Sequence, residues 1–149
     1  MSDMEDLYQE IILDHNKRPR NFRLLEHPTH HAEGNNPMCG DEIEVYARVE
    51  DGRLAELSFQ GQGCAISRAS ASLLTEQLTG KTVEEAHAAV ADVLDLMRDA
   101  DRTVDFMNDG EIAALTGVRK FPARIKCATL AWHALEAALN GEEAISTEG

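Results

Sequence analysis

The stretch Glu42–Gln60, EIEVYARVEDGRLAELSFQ, decides the fold. Ile43, Val45, Ala47 and Val49 alternate with Glu42, Glu44, Tyr46 and Arg48. Period-two alternation marks a strand with one buried face. Asp51-Gly52 follows, a pair that readily takes the left-handed backbone of a tight hairpin turn. Leu57 and Phe59 then alternate with Glu56, Ser58 and Gln60. The stretch predicts an antiparallel hairpin. Upstream, residues His30–Gly34 supply a candidate third strand.

Outward from the hairpin the period becomes helical. On the N-terminal side, Ser2 and Glu5 have capping-box spacing, and Met4, Leu7 and Ile11 share a face. That helix should end near Asn16, before Pro19. On the C-terminal side, Gly61-Gln62-Gly63 closes the hairpin and opens a helix over Ala65–Leu78, stopped by Gly80. Thr82 and Glu85 form a second capping box ahead of a helix carrying Val83, Ala86, Val90, Val93, Leu94 and Met97. Asp99–Lys120 is less regular, with one short helix expected around Glu111–Leu115. Pro122 suits the first position of a last helix that ends at Asn140-Gly141. Its expected buried stripe is Ile125, Trp132, Leu135 and Leu139. The order implies an α+β fold, a small antiparallel sheet of about three strands with helices packed on one face. We read residues 1–149 as a single domain, with a polar tail over about 142–149.

Composition narrows the function. The chain has 149 residues, 27 acidic side chains against 14 basic ones, and a net charge of −13. Nucleic acid and anionic membranes both select for Lys and Arg, so neither is an expected partner. No apolar run approaches the ~20 residues of a membrane span. The acidic N-terminus lacks a signal-peptide pattern. A cytoplasmic location with reduced thiols is expected. The three cysteines are an odd number for a disulfide framework.

Those cysteines stand at element boundaries. Cys39 lies in NPMCGD, Cys64 in GQGCAIS at a helix start, and Cys127 in ARIKCATLAW near the start of the last helix. Helix N-termini favour thiolates, and Arg124 and Lys126 neighbour Cys127. If the segments converge, three thiolates and the Asp41 carboxylate form a four-donor tetrahedral set for zinc, and sulfur ligation also suits iron–sulfur chemistry. The bland reading is that a cysteine is a small buried hydrophobe. The histidines read as less telling. His30 and His31 point to opposite sides of a strand, His15 complements a helix C-terminus, and His87 and His133 serve surface or packing.

On NPMCGD, GQGCAISRASASL and RIKCATLAW, and over nearly the whole chain, the sequence resembles the IscU/NifU-like iron–sulfur cluster assembly family. Classical scaffolds of that family have a His before the third cysteine, where Lys126 stands here. They also have a shorter connection where Asp99–Lys120 lies. Both features are similar to the SufU branch, the zinc-dependent sulfurtransferase type. The resemblance implies Cys39, Asp41, Cys64 and Cys127 as zinc ligands. It implies Cys39 as acceptor of persulfide sulfur from a SufS-type cysteine desulfurase, released when a group of the desulfurase takes its place on zinc. Arg124 is a candidate to pair with Asp41 or the migrating sulfur. Other Suf cluster-assembly proteins are further expected partners. The alternatives are a scaffold on which a transient 2Fe–2S cluster or iron is held and passed to apo-proteins, and a purely structural zinc.

Overall fold

The computed structural model describes residues 3–104, 106–142 and 144–146. Two strands of ten residues, β2 (Asp41–Glu50) and β3 (Arg53–Gln62), form the expected hairpin. Asp51 and Gly52 turn it with φ of 53° and 75°, the left-handed pair that a two-residue hairpin loop requires. β1 (His30–Asn36) pairs antiparallel with β2, two residues longer than expected.

A fourth strand extends the sheet. β4 (Ala144–Ser146) lies within the expected polar tail and runs parallel to β1, giving the order β3-β2-β1-β4. Ile145 packs on Ala32, Ala137 and Ala138. Three residues carry no readable period, so only this packing marks the strand.

Among the described residues, five α-helices accompany the sheet: α1 (Asp3–Lys17), α2 (Ala65–Leu78), α3 (Val83–Arg98), α4 (Phe106–Asp109) and α5 (Pro122–Leu139). The Ser2–Glu5 capping box and the Met4 side chain lie outside the described residues. The second box is formed in full: Glu85 N–H donates to Thr82 Oγ1 at 3.0 Å and Thr82 N–H to Glu85 Oε1 at 2.9 Å. α5 is more enclosed than a single stripe. Cys127, Ala128, Leu130, Ala131, Trp132, Ala134 and Leu135 are all buried, the pattern of a helix enclosed on most sides. It crosses β1 so closely that a Cβ on Gly34 would meet Leu130 Cδ1 at 3.0 Å. The principal core lies between α5, α2 and the sheet face bearing Ile43, Val45, Ala47, Leu57 and Phe59.

The irregular stretch before α5 is a 3-10 helix over Gly110–Val118, longer than the short helix expected. Ile112, Ala113, Ala114, Leu115 and Thr116 are buried in succession. Arg119 fastens the preceding loop, donating from Nη1 to the carbonyls of Asp99 and Arg102 at 2.9 Å.

The opposite sheet face is polar, with one correction. Tyr46, expected among the exposed side chains, is only 5% exposed. It stacks on His31 and donates its hydroxyl to Glu44 Oε2 at 3.1 Å. Burial and that neighbouring carboxylate push its phenol up to about 12. His15 does more than expected. It lies fully buried in the last turn of α1, against α2 and the 3-10 helix, where it bonds Ser72 and Glu111 as well as complementing the helix end.

Candidate metal centre

Asn36 and Asp41 face each other across β1 and β2, so Pro37–Gly40 is the four-residue loop that joins the two strands. Cys39 N–H donates to Asn36 O at 3.2 Å, and Gly40 completes the loop with φ of 72°. Cys39 is therefore exposed at a hairpin tip. Asp41, one residue past the loop, is fully buried.

Cys127 comes from α5 and is also fully buried. Its Sγ, a carboxylate oxygen of Asp41 and Cys39 Sγ all lie within 4.8 Å of one another. The hairpin loop and the central helix thus meet. Cys64 is close but less fully gathered. It occupies the N-cap of α2, its thiol lies 3.8 Å from Ser67 Oγ, and it does not join that set of mutually close donors. Its backbone N–H does reach the centre, donating to Asp41 Oδ1 at 2.9 Å. Arg124 sits exposed on the first turn of α5 and makes no ion pair with Asp41 among the described residues.

The electrostatics of the buried pair are opposed. Burial alone would raise Asp41, but the Cys64 N–H and side-chain hydrogen bonds from Ser67, Cys127 and Asn36 outweigh it and hold the carboxyl below its ordinary range. Cys127 is pushed well above an ordinary thiol, first by burial and then by hydrogen bonding to Asp41, Cys39 and Cys64. This corrects the expectation that a helix N-terminus favours its thiolate. Cys127 is the sixth residue of α5, and the dipole's influence fades within the first turn. Without a metal, Cys127 is a thiol donating toward a carboxylate.

Three contributors escaped the sequence reading. Asn36 is fully buried and donates from Nδ2 to Asp41 Oδ2 at 3.2 Å and to Cys127 Sγ at 3.5 Å. Ser67, one turn into α2, donates to the Cys127 carbonyl at 3.3 Å. Gly63 leaves room for the carboxylate, since a Cβ there would lie 2.4 Å from Asp41 Oδ1. Asn36 directly precedes Pro37, which was the only hint in the sequence. The roles of the other two depend on contacts across the fold.

Two soft sulfur donors and one carboxylate fit the ligand chemistry of zinc. Their ligand atoms lie within 4.8 Å of one another, close enough to be shared by one ion. Residues 7–128 match the family described as "NifU-like N terminal domain". The chain belongs to that family. Within it, the chain is 41% identical over 144 residues to the zinc-dependent sulfurtransferase SufU of Bacillus subtilis (strain 168), covering 95% of each chain. It is 39% identical over 139 residues to the iron–sulfur cluster assembly scaffold protein IscU of Streptococcus pyogenes serotype M1, covering 93% of this chain and 86% of that one. The crystal structure of the SUF-system protein FiSufU from Fervidobacterium islandicum AW-1 superposes with a TM-score of 0.80 at 34% identity. That match covers 93% of this chain and 99% of FiSufU. The NifU-like fold, a small sheet of three antiparallel strands with helices packed on it, is thus the one inferred from the hairpin outward, with the short parallel β4 added at its edge.

Proposed function

We propose that this chain is an iron–sulfur cluster biogenesis protein that accepts persulfide sulfur from a SufS-type cysteine desulfurase, with Cys39 as the acceptor. One observation carries the reading. An exposed thiol on a short loop stands within 4.8 Å of a buried carboxylate and a buried thiol. The similarity to the Bacillus sulfurtransferase supports it. So does the set of three free cysteines, which suits a reducing cytoplasmic setting.

Cys39, Asp41 and Cys127, with Cys64 closing in from α2, are the residues that would hold zinc. Bound there, zinc would keep the thiols deprotonated and shielded from oxidation. Asp41 is held below the ordinary carboxylate range, chiefly by the Cys64 N–H, so it offers a carboxylate without first losing a proton. The thiolate of Cys39 attacks the outer sulfur of the desulfurase persulfide. A sulfur–sulfur bond forms on Cys39, the old one breaks, and the desulfurase cysteine leaves as a thiolate. No external oxidant or reductant is consumed. Arg124, exposed on α5 three residues before Cys127, is a candidate counter-charge to the persulfide anion. The surplus of acid suits a desulfurase surface with basic side chains around its active site.

The test is desulfurase turnover, read as alanine release, with and without this protein. The wild-type chain should stimulate turnover and gain one sulfur atom on Cys39 by mass spectrometry. Full stimulation by a Cys39→Ala variant would sink the assignment. The similarity to a protein named as a scaffold favours a second reading, in which the same residues hold a transient 2Fe–2S cluster as cargo. Anaerobic reconstitution followed by transfer to an apo-ferredoxin distinguishes it.

A further inference from the structure

A second group of metal-ligating side chains lies away from the thiols. His15, Glu76 and Glu111 each present a ligand atom, and the three atoms lie within 4.8 Å of one another. They come from the last turn of α1, from α2 and from the 3-10 helix. The imidazole is fully buried, whereas the Glu76 and Glu111 side chains are 40% and 38% exposed. His15 Nε2 looks outward between the two acids, 3.3 Å from Glu111 Oε2 and 3.9 Å from Glu76 Oε1.

Each of two ligand groups is aimed by a partner on its far atom. His15 Nδ1 is bonded to Ser72 Oγ at 2.7 Å, which leaves Nε2 facing the acids. Ser72 Oγ is itself fixed by the Arg20 N–H at 2.8 Å. Arg20 Nε takes Glu76 Oε2 at 3.5 Å, which leaves Oε1 turned toward His15. Asp14 in turn holds Arg20 Nη2 at 2.7 Å. Outer partners that fix ring orientation and steady a carboxylate are what metal-binding His and Glu require. Three carboxylates against one guanidinium leave this region short of positive charge around a buried imidazole.

We infer that His15, Glu76 and Glu111 bind a divalent cation of borderline hardness, of the iron, cobalt or zinc class. One imidazole nitrogen and two carboxylates suit such ions, and the half-exposed rim leaves coordination positions for water. The donor set contains no sulfur, so its metal preference differs from that of the Cys39 centre. A bound ion would tie the segment carrying Glu111 to α1 and α2.

Cobalt(II) is the probe, titrated into the full-length metal-free protein. Cobalt held by thiolates shows a strong sulfur charge-transfer band, and cobalt held by nitrogen and oxygen does not. The expected result is one equivalent bound without that band. Glu111→Gln should abolish that equivalent, and the half-exposed position should let the variant fold. Ser72→Ala, which frees the ring, should weaken it about 10-fold or more, a change that mere acidity of the surface would not produce. Cys39→Ala should leave it intact. Absence of a band-free equivalent would overturn the inference and leave His15 as a buried hydrogen-bonding group. Undiminished band-free binding by Glu111→Gln would overturn it equally.

Discussion

The Pro37–Gly40 loop and the first turns of α5 each bring a cysteine to the same centre, under opposite conditions. Cys39 is exposed, in a loop where its N–H donates to Asn36 O. Cys127 is enclosed, with Asn36, Ala123 and Asp41 around its thiol. Identical side chains are thus given different work by burial. One thiol of the centre faces solvent and the other is enclosed.

Substitutions can break that division, beginning with the largest effect. Cys39→Ala should lose sulfur uptake altogether, while the unfolding free energy of the metal-free protein stays within about 0.5 kcal/mol of wild type, as at other exposed positions. Denaturant melts beside alanine-release assays check both halves. Equal loss of stability would mean that the loop is as fixed as the helix. Gly63→Ala should cost about 1–3 kcal/mol, because its Cβ would overlap Asp41 Oδ1, and metal retention should fall with it. Urea unfolding and metal content report the two effects separately. Cys127→Ala should lose the metal and about 1 kcal/mol of metal-free stability, roughly one buried methylene's worth of contact.

The smallest effect lies two turns farther along α5. Burial, and then the charge of Arg98, hold His133 below its ordinary pKa of 6.5, with Glu136 opposing. Below that pH the unfolded chain takes up a proton that the folded chain resists, so stability falls as pH drops through the window. Above it, His133 contributes nothing to the slope. His133→Gln should flatten thermal stability between neutral and mildly acidic pH without changing sulfur uptake. An unchanged slope would place the titration elsewhere.

The sheet and main helices were legible because their signals repeat. The Glu42–Gln60 alternation, the Asp51-Gly52 turn and the Thr82–Glu85 cap each state a local rule that packing did not override. The 3-10 helix was only partly legible. Ile112 to Leu115 is an unbroken buried run, and such a run lacks a face to count. β4 depends on Ile145 finding Ala137 and Ala138, a contact no local pattern announces. At the centre, the cysteines and Asp41 were named by residue type and by resemblance. Their convergence depends on the Asn36–Asp41 register and on the path of α5. The burial of His15 was not legible because its partners, Ser72 and Glu111, stand 57 and 96 residues away.

The hairpin loop also sets a leash. Asn36 and Asp41 are anchored by strand pairing, and Cys39 is only two residues from Asp41. Even fully stretched, two residues span about 7 Å. Cys39 can turn outward but cannot travel, so under the proposed function the sulfur donor would have to reach into the mouth of this site on a longer arm of its own.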